Sequence, residues 1–185
     1  VDNGVSVTET TGFDAAGNVL SNRQIIDGQT YSMSYAYNLA GILTEQTYPS
    51  TRVVKNVLDA DGDLSIVESK ANTNSIFRTY ANSFAFTPSG GVSRIKLGNG
   101  KWESYSFNER LQVSSVSLGN SHGGAELLKI DYAYGTTDNN GNLKSQTVTV
   151  PTIGTTQGFS AIQEYTYDSL NRLKPAEEKV NNSQT

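Results

Sequence analysis

Three short stretches carry residue types that could do chemistry. Gly119 to Gly123, reading GNSHG, matches the G-x-S-x-G pattern that presents a nucleophilic serine at a sharp turn. Such a serine needs a general base brought from elsewhere in the chain, but His122 is the only histidine and stands beside Ser121 inside the pattern. The stretch therefore reads as a flexible loop. Asp59 to Asp63, DADGD, gathers three carboxylates and invites a calcium ion. An EF-hand loop has its glycine sixth and a glutamate to close it, whereas Gly62 is fourth here, so a type I′ turn at Asp61-Gly62 is expected instead. Gly98 to Lys101, GNGK, lacks the earlier glycine of a phosphate loop and runs into Trp102 where Ser or Thr belongs, so it predicts an Asn-Gly hairpin turn. Trp102 would suit stacking on a sugar if exposed; half-buried packing is the plainer expectation. The 18 acidic residues are scattered, and no two can be set at glycosidase separation. No catalytic residue, cofactor site or metal cluster is expected, and the chain does not read as an enzyme.

The elements that must carry these residues follow from composition. The charged fraction is 17%, below the ~25% usual for soluble domains, and Ser, Thr, Asn, Gln and Gly fill the difference. That mixture suits short strands and turns and argues against long surface helices, so an all-β chain is expected. The net charge of -4, with Lys and Arg scattered, excludes the positive stripe that a phosphate backbone demands, so no nucleic-acid partner is expected. No run reaches the ~18 apolar residues of a membrane span. There is no cysteine, hence no disulfide framework and no thiolate metal site.

One phrase recurs along the chain. Aromatic pairs separated by one residue occur at Tyr35 and Tyr37, Phe84 and Phe86, Tyr105 and Phe107, Tyr132 and Tyr134, and Tyr165 and Tyr167, with shorter versions at Phe13 and Leu58. Most lead into the same turn chemistry and then an aliphatic residue: FDAAGNVL, YNLAGILT, LDADGDLS, FTPSGGVS, YDSLNRLK. Gly17, Gly41, Gly62 and Gly90 each fall four places after their anchor, and Asn171 takes that slot after Tyr167. A hairpin loop of this length needs one residue at positive φ, which Gly adopts freely and Asn more readily than other side chains. Two copies depart: FNERL brings Leu111 in early as the aliphatic residue, and YGTTDNNGNL delays its glycine to Gly141. Residues i and i+2 of a strand share a face, so each pair forms a two-ring patch, and patches on neighbouring hairpins are expected to line up as a stacked aromatic stripe. Uneven intervals between copies favour an irregular spiral of hairpins over a propeller with identical blades. LKPAEEKV offers one helical turn with Pro175 in its first turn, or else another strand.

With these residues in view, the sequence resembles the Rhs or YD-repeat family, whose motif runs roughly YxYDxxGRLxx. YTYDSLNRL matches nearly position for position, and YAYNLAGILTEQTYPS, FDAAGNVL and LGNGKWESYSFNERL are close variants, giving about seven copies over residues 1–185. The resemblance implies a ribbon of β-hairpins wound into a curved, spiral antiparallel sheet, part of a hollow shell as in bacterial Rhs toxins, toxin-complex components and teneurins. The ten paired aromatics would be wall residues, and Gly17, Gly41, Gly62, Gly90 and Gly141 turn residues. Asn38, Thr87, Asn108 and Gly135 stand where the motif has Asp, so a uniform role for that carboxylate is not expected. No Asp-Pro dipeptide occurs, so the self-cleaving segment that ends many family shells is missing and the chain reads as an internal stretch of a larger protein.

The function the resemblance implies is structural: a segment of a secreted or cell-surface shell that encloses a polypeptide cargo such as a C-terminal toxin domain. Its partners would be the rest of the shell and that cargo, and its exposed sheet edges could pair with another chain. The alternative is an adhesin-like surface module that binds glycans or proteins through Trp102 and exposed tyrosines.

Overall fold

A computed structural model of the chain describes residues 6–181. The chain divides after Ser83 into two compact units. The first holds β1 (Ser6–Phe13), β2 (Val19–Ile26), β3 (Gln29–Tyr37), β4 (Leu43–Thr47), β5 (Val53–Leu58), β6 (Leu64–Lys70) and most of β7 (Arg78–Phe86). The end of β7 opens the second, followed by β8 (Val92–Leu97), β9 (Trp102–Phe107), β10 (Val113–Gly119), β11 (Leu128–Ala133), β12 (Ser145–Val150), β13 (Phe159–Tyr167) and β14 (Leu173–Asn181). Hydrogen-bonded neighbours follow chain order, as tandem hairpins require, and the described pairings are antiparallel. Among the described residues there is no helix. LKPAEEKV belongs to β14, with Pro175 beside a register shift on a strand that ends the described sheet, a position that tolerates proline.

Alternation sorts the side chains of the second unit onto two unlike faces. One cross-strand row runs Tyr105, Val116, Ile130, Val148, Ala161 and Val180. The next row, pointing the other way, runs Ser104, Ser117, Lys129, Thr149 and Ser160. Apolar contact is thus made along the sheet between neighbouring strands, with no second layer from within the unit laid on it. Consequently only Val53 and Ala161 are buried apolar residues among those described, at 2% and 4% exposure.

The expected aromatic stripe does not form. The motif rings lie on odd-numbered strands, save Tyr134 just past the end of β11, so rings of successive copies are at least two strand spacings apart, about 10 Å, with an aliphatic strand between them. The row Tyr105–Val116–Ile130 shows the result. Among the described residues the ring stacking is within one strand, Phe84 on Phe86 at 6.4 Å between centroids and 10° between planes.

Two turn expectations also change. At Asp59–Asp63 only Gly62 has positive φ, at 91°; Asp61 does not, so the loop is a type I turn followed by a left-handed residue and not type I′. In FNERLQV, Leu111 is not an early return-strand residue. It occupies the left-handed slot four places after Phe107, with φ of 61°, and Val113 begins β10 in register with the other copies. The physical reason is that loop closure fixes the number of residues between the strands, so the backbone puts a leucine where glycine would be at ease. Leu111 is 62% exposed, so little packing offsets that conformational cost. Leu111→Gly should raise stability by about 1 kcal/mol in urea unfolding, whereas Asn171→Gly, at an equivalent position whose side chain is engaged, should give no gain.

Candidate functional site

The recurring element is a three-residue loop set by positions counted from the last strand residue, the anchor. In six copies the N–H of the residue after the anchor donates to the carbonyl five places beyond the anchor, and the N–H four places beyond the anchor donates back to the carbonyl after it. The six loops are Asp14–Asn18, Asn38–Ile42, Asp59–Asp63, Thr87–Gly91, Asn108–Gln112 and Asp168–Arg172. Positive φ falls on Gly17, Gly41, Gly62, Gly90, Leu111 and Asn171. The aliphatic residue two places later opens the return strand as Val19, Leu43, Leu64, Val92, Val113 and Leu173.

Two N–H groups in such a loop have no ladder partner, and one side-chain oxygen takes both. Oδ1 of Asp14 accepts from Ala16 and Asn18 at 2.9 and 2.8 Å, and Oδ1 of Asp168 from Leu170 and Arg172, both at 2.9 Å. Asn38, Asp59 and Asn108 do the same, each through Oδ1 at 2.9 to 3.0 Å. Thr87 accepts the second of the pair, from Gly91 at 3.0 Å. The position after the anchor therefore has one role across Asp, Asn and Thr that is not a carboxylate's own: the loop requires an acceptor oxygen, not a charge. A second contact ties the loop's two ends where chemistry allows. Asp14 Oδ2 accepts from Asn18 Nδ2 at 2.9 Å, Asp168 Oδ2 from Arg172 Nε at 2.6 Å, and Asn108 Nδ2 donates to Gln112 Oε1 at 2.8 Å. These bonds hold the Asp14 carboxyl below its ordinary range, chiefly through the Asn18 side chain, and the Asp168 carboxyl likewise, chiefly through the Arg172 N–H and then its guanidinium.

Register is offset just beyond each loop. Phe13 pairs with Val19 and Gly12 with Ser21, which leaves Leu20 over; Thr44, Ser65 and Ser114 are left over in the same way, seven places after their anchors. These are β-bulges, which bend the strand and increase its twist. Hydroxyl side chains answer the disrupted ladder in two copies: Thr44 Oγ1 donates to the Ala36 carbonyl at 3.1 Å and Ser93 Oγ to the Ala85 carbonyl at 3.0 Å.

The ten paired aromatics are all half-buried. Several of their hydroxyls bind the protein itself. Tyr134 donates to the Val113 carbonyl at 3.1 Å and Tyr167 to the Leu143 carbonyl at 2.9 Å, each reaching back to the preceding copy. Tyr165 donates to Gln163 at 2.9 Å, Tyr35 accepts from Asn22 at 3.0 Å, and Tyr105 donates to Glu103. Burial, then that bond, pushes the Tyr105 phenol up to about 12. Tyr37, Tyr132, Phe84, Phe86 and Phe107 complete the set.

The seventh loop, 134–144, has Gly135 after its anchor and so no acceptor side chain; Gly135 and Gly141 both take positive φ. Its neighbours hold it instead. Gln112 and Asn139 exchange two amide hydrogen bonds at 3.2 and 2.7 Å, the Arg110 guanidinium donates to the Asn139 carbonyl, and Asn171 Oδ1 accepts from Asn140 and Asn142, both at 3.0 Å. Asn171 thus combines a left-handed backbone with a side chain that a glycine would not supply.

The chemistry-bearing stretches are placed as follows. His122 packs edge-on against Trp102 at 6.0 Å, and the Gly123 N–H donates to Ser104 Oγ. Arg94 and Lys96 lie over the same indole at 5.9 and 5.6 Å, so the half-buried Trp102 ring is already flanked. Asp59 Oδ1 is committed to backbone N–H groups. The turn at GNGK closes like the motif loops, with Gly100 left-handed at φ 82°. What the sequence reading missed was the acceptor after the anchor, although an oxygen-bearing side chain stands there in six copies.

Against solved structures the chain matches the Photorhabdus luminescens Tc holotoxin pore carrying a mutated TccC3, at TM-score 0.68 and 17% identity over 97% of this chain and 11% of that one. It matches the crystal structure of TcdB2-TccC3-Cdc42 at TM-score 0.68 and 17% identity over 98% and 12%, and that of TcdB2-TccC3 at TM-score 0.67 and 15% identity over 93% and 11%. The chain has the Rhs/YD-repeat fold. No family model matches the chain, and no curated protein matches its sequence. It spans about a ninth of the length of the matched structures.

If the YD loop needs an acceptor and not a charge, Asn108→Asp should be tolerated, while Asn108→Ala should cost about 1 kcal/mol in chemical denaturation. The lowered Asp14 and Asp168 carboxyls add a pH dependence. Their contribution is present above the unfolded value of about 4 and is lost as pH falls through the lower folded values. The urea midpoint should fall on acidification below that point, and less steeply in an Asp14→Asn/Asp168→Asn variant.

Proposed function

We propose that the chain is a wall segment of a β-shell that encloses a polypeptide cargo, in a secreted or cell-surface protein. The observation that carries this reading is the hairpin ladder, in which each strand pairs with its chain neighbours. Strands about 4.8 Å apart leave no opening for a protease or a folded domain. The matched structures are of toxin complexes, one with the additional named component Cdc42, and the cargo role is taken from that analogy. The aromatic set favours a wall over a glycan-binding face: the rings are half-buried, and the Tyr35, Tyr105, Tyr134, Tyr165 and Tyr167 hydroxyls are engaged within the sheet. In this role the unpaired edges of β1 and β14 continue the ladder into further hairpins. No helix among the described residues is long and apolar enough to cross a membrane.

Limited proteolysis of the parent polypeptide tests the proposal. The segment held inside should resist digestion in the native protein and become cleavable when Ile66→Pro removes a ladder hydrogen bond from β6. Digestion of that segment at equal rates in both proteins would rule out enclosure.

A further inference from the structure

The ends of β5, β6 and β7 in the first unit gather positive charge. Arg52, Lys55, Lys70 and Arg78 are the only basic residues between Arg23 and Arg94, and all four lie on this part of the sheet. Lys55 stands between Glu45 and Glu68 in register, so its charge is balanced nearby. Arg52 and Arg78 are not placed so, and Lys70, two residues from Glu68, lies over the Phe77 ring at 4.7 Å. None of the described ion pairs includes Arg52, Lys70 or Arg78. The acidic loop Asp59–Asp63 is at the far end of the β5–β6 hairpin, about 20 Å away at strand rise and beyond the ~8 Å screening length of physiological salt.

These residues share one open hollow of about 480 Å³, lined by Arg52, Ser69, Lys70, Ser75, Arg78 and Tyr80. The Arg52 guanidinium lies over the Tyr80 ring at 5.1 Å, a contact that orients it without neutralising it. Ser69 faces Arg78 across the β6–β7 pair, next to a register shift. Ser69 is 4% exposed, and its hydroxyl is closed to water with no hydrogen-bond partner. Arg52 and Arg78 line one hollow with no ion-pair partner among the described residues, and like charges so placed repel, which an anion seated between them would relieve.

We propose that Arg52 and Arg78 form an oxyanion-binding site, with Lys70 adding positive potential and Tyr80 positioning Arg52. Guanidinium groups present paired donors that match the oxygens of a carboxylate, a phosphate or a sulfate, which is the chemistry these ligands share. The site stands whether or not the sheet encloses a cargo.

Calorimetric titration of the chain at low ionic strength with inorganic phosphate, sulfate and glutarate, each alone, tests this. Saturable binding is expected, weakened about tenfold or more in Arg52→Gln and in Arg78→Gln and unchanged in Arg110→Gln, which removes a cation elsewhere. Preference for phosphate and sulfate assigns a tetrahedral oxyanion, and preference for glutarate assigns a carboxylate. Arg78→Lys keeps the charge and loses the paired donors; with an unchanged melting temperature, its weakened binding would show that geometry as well as charge is read. Absence of saturable binding to all three anions, or equal binding in the Arg52→Gln and Arg78→Gln variants, would overturn the site.

Discussion

Every motif hairpin that closes by itself depends on one contact: the oxygen of the side chain after the anchor, accepting the two loop N–H groups that the ladder cannot reach. A three-residue loop turns the chain too tightly for those groups to find a strand partner. Asp14, Asn38, Asp59, Asn108 and Asp168 each satisfy both, and Thr87 satisfies one. Once that oxygen is present, the residue four beyond the anchor must be left-handed, and the loop then delivers the return strand in one register. Leu111 is the proof of order between these demands, since a side chain poorly suited to positive φ is held there by the closure of Asn108 on Gln112.

Loop closure also decides what packs. Anchors end odd strands, return residues begin even ones, so rings and aliphatic side chains alternate across the sheet. The row from Tyr105 to Val180 is continuous apolar contact made by neighbours in sequence, and Ala161 is buried within it. Stability in such a sheet accumulates from nearest-neighbour terms and needs no central core. A thin wall of this kind is suited to separating two spaces, which is the role proposed, and it leaves both faces free to differ: one ring-bearing and aliphatic, the other rich in Ser and Thr.

The loop that breaks the rule shows how neighbours substitute for a missing side chain. Gly135 brings no acceptor, and 134–144 is held by Gln112 and Arg110 from one side and Asn171 from the other. Spacing along the chain gives no hint of this, because the partners are 27 to 31 residues apart. The same limit applies to the cluster of Arg52, Ser69 and Arg78, which are scattered in sequence and meet only because β5, β6 and β7 end together.

The sequence by itself determined the all-β class, the hairpin repeat and the positions where the chain turns, because alternation and positive-φ residues act over a few neighbouring residues. Gly17, Gly41, Gly62 and Gly90 are turn residues for a reason confined to their own backbone. Only the tertiary structure decided which strands separate the rings, that Leu111 sits in the turn, that Asn, Asp and Thr share one role, and which cations form no ion pair among the described residues. Those outcomes depend on cross-strand register and on contacts between loops, where distance in space is set by pairing and not by spacing along the chain.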